Sequence, residues 1–68
     1  MIKSNIAVLL AERKLKMSDL AKATGINRGT IQRIYHDEAA RIELEVMNKM
    51  CEFFECTPGD LFIYSPDE

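Results

Sequence analysis

The chain has no tryptophan, one histidine, two cysteines, two prolines and three glycines among its 68 residues. Each shortage closes off a class of function. A single histidine cannot make an HExxH site, the two cysteines form no CxxC motif, and no glycine-rich phosphate loop is present. So little proline and glycine beside 47% apolar residues argues against disorder or low complexity. Long apolar runs are missing too. The longest early stretch, Ile6 to Ala11, stops at Glu12-Arg13-Lys14, too short for a membrane span and without a signal-peptide cleavage pattern. The cytoplasm is the expected compartment. A chain of this size has a thin core, gains from self-association and has little room for a deep substrate pocket.

Catalysis finds no foothold. A nucleophile–base pair would have to use His36, beside Asp37 and Glu38 in a solvated link. His36 reads instead as a residue at a helix end, near the negative dipole or a phosphate. No catalytic residue, metal or cofactor is expected.

What the chain does have is an uneven charge. Residues 1–42 carry eight Lys or Arg against four Asp or Glu, whereas residues 43–68 carry one against seven. The net charge of −2 therefore hides a basic front and an acidic back. Such a division points to one side facing a polyanion and another turned away from it.

Apolar spacing predicts an all-α domain of about five short helices over residues 1–64, followed by an acidic tail, 65–68. Ser4 is placed to cap a first helix over roughly 5–14, with Ile2, Ile6, Leu9, Leu10 and Arg13 on one stripe and Leu15 closing it. A second helix over about 17–24 ends at Gly25, where a left-handed residue costs least. Asn27 is a good N-cap for a third helix over 28–36, with Ile31 and Ile34 pointing to one side. A fourth helix occupies about 44–55, with Leu44, Met47, Met50, Cys51 and Phe54 on its core face. Thr57-Pro58-Gly59-Asp60 reads as a cap with proline at the first helical position, opening one turn that carries Leu61 and Phe62. No alternating run is long enough to predict a sheet.

Two short helices joined by a glycine turn form a helix-turn-helix. The segment from Leu15 to Ile34 resembles the Cro/repressor-type motif of the Xre family of bacterial and phage transcription regulators. The resemblance lies in Leu20-Ala21 on the first helix, Gly25-Ile26 at the turn, and Ile31 with Ile34 under the second. Ala21 permits a close crossing, Gly25 a sharp turn, and the isoleucines hold the second helix to the core. Arg41-Ile42-Glu43-Leu44 and Cys56-Thr57-Pro58-Gly59-Asp60-Leu61 resemble the closing segments of small members. The likeness covers roughly residues 2–64 and implies a compact five-helix, lambda-repressor-like DNA-binding domain.

It also implies that residues 28–36 are a recognition helix lying in the major groove of double-stranded DNA. Arg28 and Arg33 would offer bidentate donors to guanine, Gln32 would pair with an adenine edge, and Gly29 would let the backbone approach the bases. Phosphate contacts are expected from Lys16, Ser18, Lys22, Asn27, Thr30, His36 and Arg41. Against this stands the ordinary fate of surface arginines, which is solvation alone. The chain departs from the family pattern at Lys16-Met17, where many members have a Thr–Gln pair, leaving Ser18 as the nearest replacement cap. It departs again at His36-Asp37-Glu38, where many have Asn-Gly, placing two carboxylates near the expected path of the phosphates. A third departure is Leu10 with Tyr35, where some relatives bury an Arg–Glu pair.

One recognition helix has low specificity, and two copies about 34 Å apart multiply it. Val46 and Phe53 widen the apolar arc of the fourth helix beyond what a core-facing helix needs, and Phe62, Ile63 and Tyr64 follow. These five are the expected interface of a homodimer, and residues 61–64 are candidates for an extended segment pairing across the dimer. On a continuous helix Cys51 and Cys56 would lie about 140° apart, where they could not easily bond or share a metal, and they read as buried small hydrophobes. The expected function is a sequence-specific regulator, a repressor by the simplest mechanism of occupying a promoter. The alternative is a protein-interaction module of the same fold, antitoxin-like or an adaptor, using Phe53, Phe62 and Tyr64 in the acidic C-terminal half to bind a different chain.

Overall fold

A computed structural model describes residues 1–66. The two carboxylates of the expected acidic tail, Asp67 and Glu68, lie outside the described residues. The elements in chain order are β1 (Ile2–Ser4), α1 (Ile6–Glu12), α2 (Met17–Thr24), α3 (Arg28–Tyr35), α4 (Leu44–Phe54), α5 (Pro58–Leu61) and β2 (Phe62–Tyr64). Five helices stand in the predicted order, and the lambda-repressor-like all-α class holds.

The addition is a small ribbon, contrary to the expectation of no sheet. β1 pairs antiparallel with β2 in the register Ile2 with Tyr64, Lys3 with Ile63 and Ser4 with Phe62. Met1 and Ser65 exchange both backbone hydrogen bonds beyond it, at 2.7 and 2.8 Å, and Asn5 N–H reaches Leu61 C=O at 2.7 Å. The extended segment at the C-terminal end thus pairs with the N-terminal end of its own chain. Two three-residue strands carry too short an alternation to be read locally. The ribbon also moves two residues from their expected places. Ile2 sits on β1, largely exposed, rather than on the α1 stripe. Ser4 ends β1, so Asn5 takes the N-cap position of α1, although the Ser4 hydroxyl still accepts the Ile6 N–H.

Each of the four longer helices stops at a residue in the left-handed region. These are Lys14 (φ 56°), Gly25 (φ 77°), Asp37 (φ 59°) and Glu55 (φ 54°). The reversed chain then satisfies the last carbonyls: Leu15 N–H bonds Leu10 C=O, Glu38 bonds Arg33 and Cys56 bonds Cys51. Only Gly25 adopts this conformation without steric cost. The α4 stop comes one residue before the expected end and redirects Cys56. The predicted separation of Cys51 and Cys56 is therefore wrong, because the helix that would separate them does not continue.

Ile6, Leu9, Leu10, Leu20, Ile26, Ile31, Ile34, Met50, Phe54 and Leu61 form the core. On α4, Met50 and Phe54 are buried, while Met47 and Cys51 are half-buried. Leu44 is 80% exposed, which corrects its assignment to the core face. It opens the helix one turn before Met47, the first of the stripe to reach the core. Cys51 and Cys56 are both half-buried rather than fully buried. At α5, the Asp60 carboxylate accepts from the Thr57 N–H at 3.0 Å and hydroxyl at 3.1 Å. The backbone bond first, then the side-chain bond, holds its carboxyl below the ordinary value.

Arg13 ties the end of α1 to the end of α4. Its guanidinium donates to Leu9 C=O at 3.2 Å and Phe54 C=O at 2.9 Å, and lies 5.1 Å from the Phe54 ring centroid. A cation suits this position, because the free carbonyls of a helix C-terminus carry partial negative charge. Arg13→Ala should cost about 1–3 kcal/mol in urea unfolding, with Arg13→Lys recovering only part, since a lysine lacks the planar fork.

Candidate nucleic-acid interface

The helix-turn-helix is α2, the turn Gly25–Asn27 and α3. At the turn Gly25 is left-handed and its N–H bonds Ala21 C=O at 2.8 Å, ending α2. Thr24 helps to close it. The Thr24 hydroxyl donates to Leu20 C=O at 2.6 Å and accepts the Ile26 N–H at 3.2 Å. Ile26 is thereby turned inward and buried.

Asn27 then starts α3. Its Oδ1 accepts the N–H of Gly29 at 2.8 Å and of Thr30 at 3.4 Å. The predicted cap is present. With Oδ1 engaged, the side-chain amide nitrogen is the polar group that Asn27 can offer to a phosphate. Gly29 has a local reason to lack a side chain, since a Cβ there would stand 3.0 Å from Asn27 Oδ1. That role is separate from the expected approach to a base.

Ile31 and Ile34 are buried at 0% and 2% exposure and pin α3 by one face. The opposite face is set by helical periodicity. Arg28, Gln32 and Arg33 are exposed there, with Gly29 and Thr30 half-buried. Neither guanidinium has an ion-pair partner among the described residues, where Arg13 pairs with Glu12 and Lys49 with Glu45. His36 follows the helix, exposed, with its ring edge-on to Tyr35 at 5.0 Å.

At the N-terminus of α2 the expected cap is replaced. Ser18 is half-buried and makes no capping bond, whereas the Asp19 carboxylate accepts the Lys16 N–H at 2.9 Å. Asp19 is a residue the sequence analysis missed. An acidic residue at the third helical position was the available signal, because it reaches back to the N-cap amide. Its negative charge stands where a phosphate was expected to meet the helix. The exposed Lys16 and Lys22 side chains counter it.

One shallow concavity between α2 and the start of α3 gathers Ser18, Lys22, Asn27 and Arg28. Arg41 is not part of it. It lies in the link between α3 and α4, lining a separate, mainly apolar cleft with Ser4, Asp37 and Phe62. Asp37, expected to face the phosphates, has its Oδ1 bonded to the Ser4 N–H at 2.6 Å. Within the expected dimer surface, Val46, Phe53 and Phe62 pack partly on the chain's own core. Ile63 and Tyr64 are 51% and 69% exposed.

Among the described residues, no three His, Cys, Asp or Glu side chains are grouped to hold a metal ion. No helix among them is long and apolar enough to cross a membrane. The sequence profile of the Cro/C1-type HTH DNA-binding domain matches residues 5–67. The chain is also 34% identical over 64 residues to YozG, an uncharacterized HTH-type transcriptional regulator of Bacillus subtilis (strain 168). That similarity covers 94% of this chain and 76% of the relative.

The cap gives a direct measure of how α3 is held. Asn27→Ala should lower stability by about 1 kcal/mol in chemical denaturation, while Asn27→Asp or Asn27→Ser keeps most of it.

Proposed function

We propose that this chain, which belongs to the Cro/C1-type helix-turn-helix DNA-binding family, is a cytoplasmic transcription regulator that reads specific double-stranded sites as a dimer. Its work is binding rather than catalysis. The observation that carries the reading is the exposed face of α3, where Arg28, Gln32 and Arg33 stand over the buried Ile31 and Ile34. Guanidiniums with no ion-pair partner among the described residues present two donors each in a plane, the pattern that guanine O6 and N7 accept in the major groove. Gln32 between them suits an adenine edge.

Lys16, Ser18, Lys22, Asn27, Thr30, His36 and Arg41 supply phosphate contacts that fix the helix in register. The concavity holding Ser18, Lys22 and Asn27 next to Arg28 supports placing a phosphate beside the first base contact. Asp37 does not oppose the phosphates as directly as its position in the sequence implies, because its carboxylate is engaged by Ser4. Repression by occupying a promoter is the mode that asks least of so small a domain.

Two copies would join through Ile63 and Tyr64, with the outer edges of Val46, Phe53 and Phe62 contributing. A second reading, a protein-interaction module of the antitoxin or adaptor kind, draws on the exposed Leu44 amid the acidic residues Glu43 and Glu45. Such a surface suits a partner with an apolar pocket and basic rim.

Selection from random duplexes should recover one preferred site, and binding to it should weaken with salt at a slope of about −0.9 per phosphate contacted. Arg33→Ala should cost about 1–3 kcal/mol on that site and relax a single base position, whereas Lys22→Ala should weaken all sequences alike and flatten the salt slope by about one contact. Unchanged DNA affinity in both Arg28→Ala and Arg33→Ala would favour the interaction module. In sedimentation the wild type should be dimeric. Tyr64→Lys should shift it to monomer with the helical circular dichroism retained, and should weaken binding to a two-half-site duplex more than to a single half-site.

A further inference from the structure

The end of α4 brings together two sulfurs that helical periodicity would keep apart. Glu55 turns left-handed (φ 54°, ψ 51°), and the Cys56 N–H folds back to the Cys51 C=O at 3.0 Å. In a helix stop of this kind the fourth-last helical residue and the residue after the left-handed one ordinarily make an apolar side-chain contact. Here both positions are cysteine. With standard bond lengths the backbone hydrogen bond keeps the two Cα atoms within about 7 Å. Disulfides use separations of about 4.4–6.8 Å. Both cysteines are free, half-buried and packed against the same core. Their neighbourhood is felt at Cys56. Burial pushes its thiol up, the adjacent Cys51 and then Asp60 add to the rise, and Arg13 opposes it.

We propose that Cys51 and Cys56 form a dithiol site that exchanges with low-molecular-weight disulfides and closes to an intramolecular disulfide across the α4–α5 corner, without rearrangement of the fold. The thiolate of one cysteine attacks a sulfur of the small disulfide, whose S–S bond breaks and releases one thiolate. The second cysteine, as thiolate, attacks the protein sulfur of the mixed disulfide and releases the other. The protein loses two protons and two electrons, and the small disulfide is reduced to two thiols. A small molecule is the fitting oxidant because half-buried sulfurs admit one more readily than a second protein. In a reducing compartment such a bond is transient, as thiol-responsive sites require. The site stands apart from the α3 surface, and its test does not depend on DNA binding.

The full chain at low micromolar concentration is equilibrated with glutathione and glutathione disulfide, quenched with N-ethylmaleimide and weighed by mass spectrometry. The expected product is a monomer lighter by two hydrogens, taking up no maleimide, with Cys51 and Cys56 in one cross-linked peptide. Its formation constant should be at least about tenfold larger for the folded chain than in concentrated urea, because a fold that pre-positions the sulfurs raises their effective concentration. Cys51→Ser and Cys56→Ser should each stop at a glutathione adduct of the remaining thiol. The proposal is overturned if the folded wild type accumulates glutathione adducts or intermolecular dimers. It also fails if the formation constant is no larger folded than unfolded, or if the closed form loses the amide-exchange protection of α4.

Discussion

The burial of Ile31 and Ile34 governs everything α3 can do. Two fully enclosed β-branched side chains on one face leave the helix a single rotational setting. That setting directs Arg28, Gln32 and Arg33 outward. The core they enter is built by the whole chain: Leu20 and Ile26 before α3, Ile6, Leu9 and Leu10 from α1, Met50 and Phe54 from α4, and Leu61 from α5. A thin core is therefore spent on orienting eight residues.

Compactness comes from abrupt helix endings more than from long helices. Lys14, Asp37 and Glu55 each hold a conformation that glycine takes more cheaply, at a cost of about 1 kcal/mol apiece. The charged side chains retained there have other work in at least one case. Asp37 turns the chain at the end of α3 and, in the same position, holds the amide of Ser4. Asp19 and Asp60 do comparable service at helix starts, each reaching back to an amide of the preceding turn.

The helices, the order of elements and most of the core were legible in the sequence because their signals are local. Gly25, Asn27 and Thr57-Pro58 punctuate the chain where the structure stops and starts helices. The ribbon was not legible, since Ile2–Ser4 and Phe62–Tyr64 gain strand character only from meeting each other across the whole chain length. Leu44 misled because a stripe at helical spacing says which side of a helix is apolar and not how far along it the core extends. Cys51 and Cys56 misled for the opposite reason: the spacing was extrapolated past a stop that carries no glycine. On α3 the outward set was readable from Ile31 and Ile34. The occupation of Asp37 by Ser4 was not, because the two lie 33 residues apart.

The bond between Asp37 and Ser4 has an effect on the colloidal behaviour of the molecule. With Met1 and Ser65 exchanging both bonds, alternation along the ribbon points the amides of Ile2, Ser4, Phe62 and Tyr64 away from it. Ser4 is occupied by Asp37, Phe62 by the Pro58 carbonyl, and the next outward position is Pro66, which has no amide hydrogen. An incoming strand would find one amide donor on each edge, Ile2 on β1 and Tyr64 on β2. Sheet growth from molecule to molecule, the ordinary hazard of an uncovered edge, is thus blunted on both flanks.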